Sequence, residues 1–219
     1  MTYYKFLTAE GKGTYSSYQW PLPTKNADGT WTPGAWTPPL EGQPRECEYG
    51  YHLAKADQVL EWLSATMYEV EVSGCALVEE YDNKCATTAA CRLVRQIEEC
   101  NDRTLRLFVS DCAEHVLHLY EKQYPGDKRV RECIAVARRY AKGEATSQEL
   151  AAASYAAWDA ARAAASYAAR AAARAAAWAA AGDAAGDAAG DAAGDAAGDA
   201  AVDAEQQWQQ QRLCELLGL

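Results

Sequence analysis

Basic residues are scarce: 21 Lys and Arg stand against 31 Asp and Glu in 219 residues, a net charge of -10. A surface built to coat DNA or RNA needs a basic patch for phosphate contacts, so nucleic acid is not an expected partner. Long apolar runs are missing too. No stretch of 18 apolar residues occurs, and the alanine-rich tail carries Asp at every fourth position, which excludes a membrane span there. MTYYKFLTAEGKG has no basic segment followed by an apolar one, so the expectation is a cytoplasmic, unsecreted chain without a membrane partner. The eight Cys include no CxxC pair, and small buried hydrophobes are the expectation for them rather than a metal or redox site. GxGxxG, GxxxxGK[ST], GxSxG and HExxH are all absent.

What is present is globular in composition, 49% hydrophobic and 24% charged. The acidity is spread along the chain. After residue 150 there are four Arg against seven Asp and two Glu, which is -5 and leaves -5 for the front part.

Up to about residue 100 the pattern reads as α+β. YKFL is a short strand. TKNADGTWTPGAWTPP is a turn-rich loop with its turn at Ala27-Asp28-Gly29, pinned by Trp20, Trp31 and Trp36 and kept from being an interior strand by its prolines. AKADQVLEWL places Val59, Leu60 and Leu63 on one face of a short helix. TMYEVEV alternates Met67, Glu69 and Glu71 against Tyr68, Val70 and Val72, a half-buried strand that ACRLVRQIE can pair with.

From Asn101 the period turns helical. Leu105, Phe108, Cys112, Val116 and Leu119 form one stripe, ended at Pro125-Gly126-Asp127. A second helix, 127–142, turns Val130, Ile134, Ala137 and Tyr140 inward and closes at Gly143. Thr146 to Glu149 is a capping box that opens a very long third helix. Alanine without Gly or Pro carries helix through Ala181. The block 180–201 repeats AAGD, and helix docked on a partner surface suits it better than linker. Its five glycines cost about 1 kcal/mol each in a free helix. At four-residue spacing they drift by roughly 40° per repeat, tracing a spiral along which another helix can approach closely; repeat expansion tolerated in a soluble helix accounts for the same pattern equally well. A closing helix, 200–219, carries Val202, Trp208, Leu213 and Leu216 or Leu217, and that apolar set requires a docking surface.

Candidate chemistry is sparse. Cys112, His115 and His118 offer a partial metal face, and Cys112 with His115 or Cys47 with His52 a conceivable nucleophile pair. None has the spacing or context that zinc or cysteine catalysis needs, so no catalytic residue, metal or cofactor is assigned. Glu69, Glu71, Glu79 and Glu80 hold acid–base capacity, the first two on a solvated strand face. Tyr155, Trp158 and Arg162, then Tyr167, Arg170, Arg174 and Trp178, put aromatics and Arg one turn apart, the residue types that anchor interfaces. Trp158 is expected to cover the preceding helices.

RLFVSDCAEHVLHLYEKQYPGDKRVRECIAVARRYAKGEATSQELAAASYAAWDAARAAA resembles the bacterial Imm-5-like immunity family. The likeness runs through Asp111 to Leu117, Tyr124-Pro125, Asp127 to Arg131 and Ala135 to Thr146, over about 105–178. Val130 stands where the family has Pro. The front half, with YQWPLPTKNADGTWTPG, ECEYGYHL and MYEVEV, resembles an uncharacterised domain of phage and bacterial proteins. That domain often precedes alanine-rich tails ending as Asp203 to Leu213 do here. The resemblance implies a bacterial or phage origin and a helical tail.

The expectation is therefore α+β: a small head, 1–100, then an all-α bundle or hairpin, 101–219, with the alanine-rich arm from 150. Its function is expected to be non-enzymatic protein binding, as immunity or phage–host interference by occluding a partner. The contact residues are Trp31, Trp36, Arg170, Arg174, Trp178, Gly182, Gly186, Gly190, Gly194 and Gly198. Two alternatives stand beside it: self-assembly through the arm, and an enzyme in the head with His52 and Glu69 or Glu71 lining a cleft.

Overall fold

The computed structural model describes residues 2–13, 16–64, 66–74, 77–164, 172, 174–176 and 199–219. Among the described residues, eight strands lie before residue 97 and α-helices follow after residue 101, so the fold class is α+β. The chain divides into two compact units, 1–100 and 101–218. The expected turn at 27–29 falls inside a small hairpin, where β2 (Thr24–Lys25) pairs with β3 (Trp31–Thr32).

In the first unit β5 (Thr66–Val72) is the centre of a three-stranded antiparallel sheet between β1 (Tyr3–Leu7) and β8 (Cys91–Gln96). The pairing expected between TMYEVEV and ACRLVRQIE is present, with Glu69 opposite Arg95 and Glu71 opposite Arg92. Alternation fails at one point. Met67 shares the Glu face yet is fully buried, because both sheet faces are covered where Phe6 and Leu7 pair with Met67 and Thr66. A second sheet has β7 (Cys85–Thr87) between β4 (Tyr51–Leu53) and β6 (Glu79–Glu80). Tyr4 and Ala54 exchange backbone hydrogen bonds of 2.8 and 2.9 Å, which joins the two sheets.

The proline-rich loop lies along the free edge of β8. Gly34 N donates to Leu93 O at 2.9 Å and Thr37 N to Cys91 O at 2.8 Å. Glycine is required at 34: a Cβ there would meet Pro21 O at 2.1 Å. Of the three tryptophans expected to pin this loop, Trp20 does so, buried against Tyr18 and Tyr51 at centroid distances of 5.8 and 5.5 Å. Trp31 is half-buried and Trp36 is 41% exposed.

The expected amphipathic helix near residue 60 is instead a 3-10 helix, Ala56–Trp62, with Gln58 and Val59 buried and Leu60 and Leu63 half-buried. Gln58 draws the turn inward. Its Oε1 accepts from Lys55 N at 3.0 Å and its Nε2 donates to Tyr81 O at 3.0 Å.

In the second unit α1 (Asp102–Glu121) is capped by Asn101, which accepts from Thr104 N at 3.1 Å. It packs against α2 (Arg129–Ala141), and α2 packs against α3 (Ser147–Ala163). The apolar face of α1 is wider than one stripe, since Val109, Ala113, Leu117 and Tyr120 are buried beside Phe108, Cys112 and Val116. The capping box is present in both directions, Thr146 Oγ1 accepting from Glu149 N and Glu149 Oε2 from Thr146 N.

Helix unbroken through Ala181 is not what forms. Ala164 is extended, with ψ of 126°. The cause is tertiary: Ala172, Ala175 and Ala176 are buried, and Ala176 O accepts a hydrogen bond from Cys133 Sγ on α2 at 3.2 Å. The short α2–α3 connection makes those helices antiparallel neighbours, so an unbroken rod would carry Ala176 roughly 30 Å past Cys133. The chain must turn back to bury those alanines. Of the AAGD block, 180–201, residues 180–198 lie outside the described residues and 199–201 are helical. A closing helix follows, α4 (Asp199–Leu217), which packs on α1.

Candidate functional site

β4 places His52 between two buried neighbours, Tyr51 and Leu53, and His52 organises the chemistry of the first unit. Its backbone oxygen accepts a 2.8 Å hydrogen bond from Lys5 Nζ. Its ring Nε2 lies 3.1 Å from Cys47 N and 3.3 Å from Arg45 O. Burial lowers the His52 pKa, and a neutral ring accepting from the Cys47 N–H carries its proton on Nδ1. Cys47 has a φ of +58°, a left-handed conformation uncommon for a side-chain-bearing residue.

Lys84, only 5% exposed, donates to Cys47 Sγ at 2.9 Å. Glu46 lies 3.4 Å from the same ammonium, and the Trp62 ring 5.1 Å away. The hydrogen bond to Cys47 is the largest influence raising the Lys84 pKa. Lys5 differs: burial pushes it down to about 8. Lys5, Cys47, His52 and Lys84 line one cavity of about 770 Å³, walled by Tyr18, Trp20, Tyr51 and Trp62.

The acid–base reading of the head does not hold as expected. His52 lines the cavity, but Glu69 and Glu71 do not, because each is held by an arginine across the sheet, Arg95 and Arg92, at 2.7 and 2.6 Å. Lys5 and Lys84 escaped sequence reasoning. One signal existed for Lys5: in YYKFL it shares a strand face with Tyr3 and Leu7, an apolar position for a cation.

The expected contact residues fall into three groups. Trp36 is exposed, with the Arg92 guanidinium 4.6 Å above its ring and Glu71 holding that guanidinium. Trp31 has Lys25 5.9 Å over its ring, and Glu98 holds Lys25 at 2.6 Å. Arg174 is half-buried and helical, beside buried Ala175 and Ala176. Arg170, Trp178, Gly182, Gly186, Gly190, Gly194 and Gly198 lie outside the described residues.

The α1–α4 seam uses the remaining candidates. His115 Nδ1 is 2.6 Å from Glu205 Oε2, and its ring stacks on Trp208 at 3.9 Å and 4°. Asp111 receives Arg138 of α2 at 2.5 Å and Arg212 of α4 at 2.9 Å. Cys112 is fully buried, and burial first, then Glu205, raises its pKa. His115 is thus engaged by Glu205 and Trp208 of α4 and Cys112 is buried, an arrangement that does not pair them as nucleophile and base. His118 Nδ1 turns to His115 O at 3.0 Å. Among the described residues no cluster of three His, Cys, Asp or Glu is arranged to hold a metal ion. No helix among them is long and apolar enough to cross a membrane.

Neither the curated proteins nor the solved structures contain a match to the chain. The family described as Imm-5 like putative immunity protein matches residues 95–216, from the end of β8 through nearly all of α4. That is more than half of the 219 residues, and the chain belongs to this family.

Proposed function

We propose that the chain works by touch: a non-enzymatic protein-binding protein that occludes a bacterial or phage partner. This is the finer form of the immunity-type function its family supports. In this reading a small α+β head, 1–100, carries contact residues ahead of a helical bundle, 101–219, whose alanine-rich arm extends the surface. The partner is a protein or a second copy of the chain, with neither nucleic acid nor membrane involved.

One observation supports this reading above the others. Trp36 and Trp31 each present a ring topped by a cation, and each cation is fixed by a carboxylate, Glu71 on Arg92 and Glu98 on Lys25. Aromatics held rigid by a charged network, Trp36 exposed and Trp31 half-buried, lose little side-chain entropy on binding and are the residue types that dominate interface energetics. Leu22, 41% exposed, adds apolar area to the same loop.

The test uses full-length chain and a Trp31→Ala, Trp36→Ala variant as baits against bacterial lysate. Captured proteins are identified and then co-expressed with the chain. The expected result is a retained protein whose toxicity the wild type suppresses, with retention falling at least about tenfold in the variant. Capture indifferent to both substitutions, or no suppression of toxicity, overturns it.

An enzyme in the head is the second reading, favoured by Cys47, Lys84 and His52 meeting in one cavity. It requires a turnover lost in both Cys47→Ala and His52→Ala.

A further inference from the structure

Two ammonium groups enter the wall of the 770 Å³ cavity, and they are neutralised differently. Lys84 has the Glu46 carboxylate within 3.4 Å and Cys47 Sγ within 2.9 Å. Lys5 has a carbonyl, His52 O at 2.8 Å, and the face of Trp20 at 5.5 Å. No carboxylate lies within ion-pair distance of Lys5 among the described residues. Glu48, which also lines the cavity, is spent on Arg45 at 3.3 Å, and Glu61 is solvent-exposed.

A cation partly withdrawn from water without a counter-charge is costly, and an anion entering beside it supplies what the fold omits. The walls say what else that anion carries. Trp20 and Tyr51 stand edge to face at 5.5 Å, Tyr18 closes on both, and Trp62 lies among the lining residues. Rings in such arrangements favour a planar guest. The volume falls within the range of about 300–1,000 Å³ that small-molecule sites occupy.

We propose that this cavity binds a small organic anion, a planar ring bearing a carboxylate or phosphate, with its charged group on Lys5 and its ring against Tyr18, at the rim of the buried Trp20–Tyr51 pair. The site is independent of the partner-binding surface, so failure of either leaves the other standing.

Calorimetric titration of the full-length chain tests it, with indole-3-acetate and adenosine monophosphate as probes and indole-3-ethanol and adenosine as their uncharged counterparts. The expected result is saturable binding of at least one anion, at least about tenfold tighter than its neutral counterpart. Which anion binds separates a carboxylate from a phosphate source. Lys5→Met should weaken that binding at least about tenfold, since removing a charged hydrogen-bond donor costs on that order. Tyr18→Ala, at a 38% exposed rim position, should weaken it several-fold, beyond any change in the thermal unfolding midpoint from its lost edge contacts with Trp20 and Tyr51. Binding by neither anion, equal binding of anion and neutral counterpart, or full affinity in both variants overturns the proposal.

Discussion

Cys47 is set apart from the other thiols by its surroundings. Burial raises Cys91 and Cys133 to about 12 and Cys100 to about 11, and raises Cys112 and Cys85 as well. Cys214 is half-buried, whereas Cys47 is exposed and carries a charged donor, Lys84 Nζ, on its sulfur. A protonated, solvent-excluded thiol is a poor nucleophile, so accessibility decides the order of reaction. Under native conditions iodoacetamide should label Cys47 before the six other described cysteines, with peptide mass spectrometry reading the sites against time. Labelling of Cys112 or Cys133 at a comparable rate would show that the helical unit opens as readily as the loop around Cys47. How far such residues were legible varies. The Thr146 box could be read because its partners sit three positions apart. His115 and Glu205 are 90 positions apart, and neither carries a local signal of the other. Lys84 is equally silent, because its partners Cys47 and Glu46 come from a loop nearly forty residues away.

At the scale of the element, the α1–α2 junction depends on one carboxylate. Asp127 accepts from Tyr120 of α1 at 2.6 Å and from the Arg129 backbone N and Nε of α2 at 3.0 and 2.9 Å. The Arg129 guanidinium, first among the causes, holds its carboxyl well below the usual range. Folding therefore favours the ionised form. The stabilisation is complete above the pKa of an unfolded aspartate, near 4, and is lost as pH falls from there through the depressed folded value. Asp127→Asn should cost about 1–2 kcal/mol at neutral pH, a magnitude discounted because Arg129 is partly in water. Urea unfolding monitored at pH 7 and pH 3 measures it, and the gap between the two proteins should shrink at the lower pH. A constant gap would assign the loss to packing instead. Elements with strong periodicity, β5, β8, α1 and α2, could be read from the chain itself. β4, β6 and β7 could not, since two or three residues are too few to show alternation. The end of α3 was illegible for a different reason: alanine favours helix everywhere along that run. Only the burial of Ala172, Ala175 and Ala176 requires the break.

Across the whole molecule, α4 changes how the glycine repeat must be probed. Truncating everything after residue 180 would remove Glu205, Gln209, Leu213 and Leu217, a buried stripe at four-residue spacing, together with Trp208 on His115. Such a truncation exposes α1 and confounds lost assembly with lost folding. Substituting Ala for Gly182, Gly186, Gly190, Gly194 and Gly198 avoids this, because α4 keeps its length and its seam. The two uses of the repeat then diverge. If the glycines exist to admit a partner helix at close range, five added methyl groups close the spiral groove, and retained partner or self-association falls while helicity by circular dichroism holds or rises. If the repeat only spans distance, the same substitutions favour helix by about 1 kcal/mol each and leave association untouched. The partner-binding reading expects the first outcome: multi-angle light scattering and bait capture should show weaker association for the alanine variant, with the α1–α4 seam still intact by its thermal unfolding. Undiminished association would remove the arm from the contact surface and leave Trp31 and Trp36 to carry it alone.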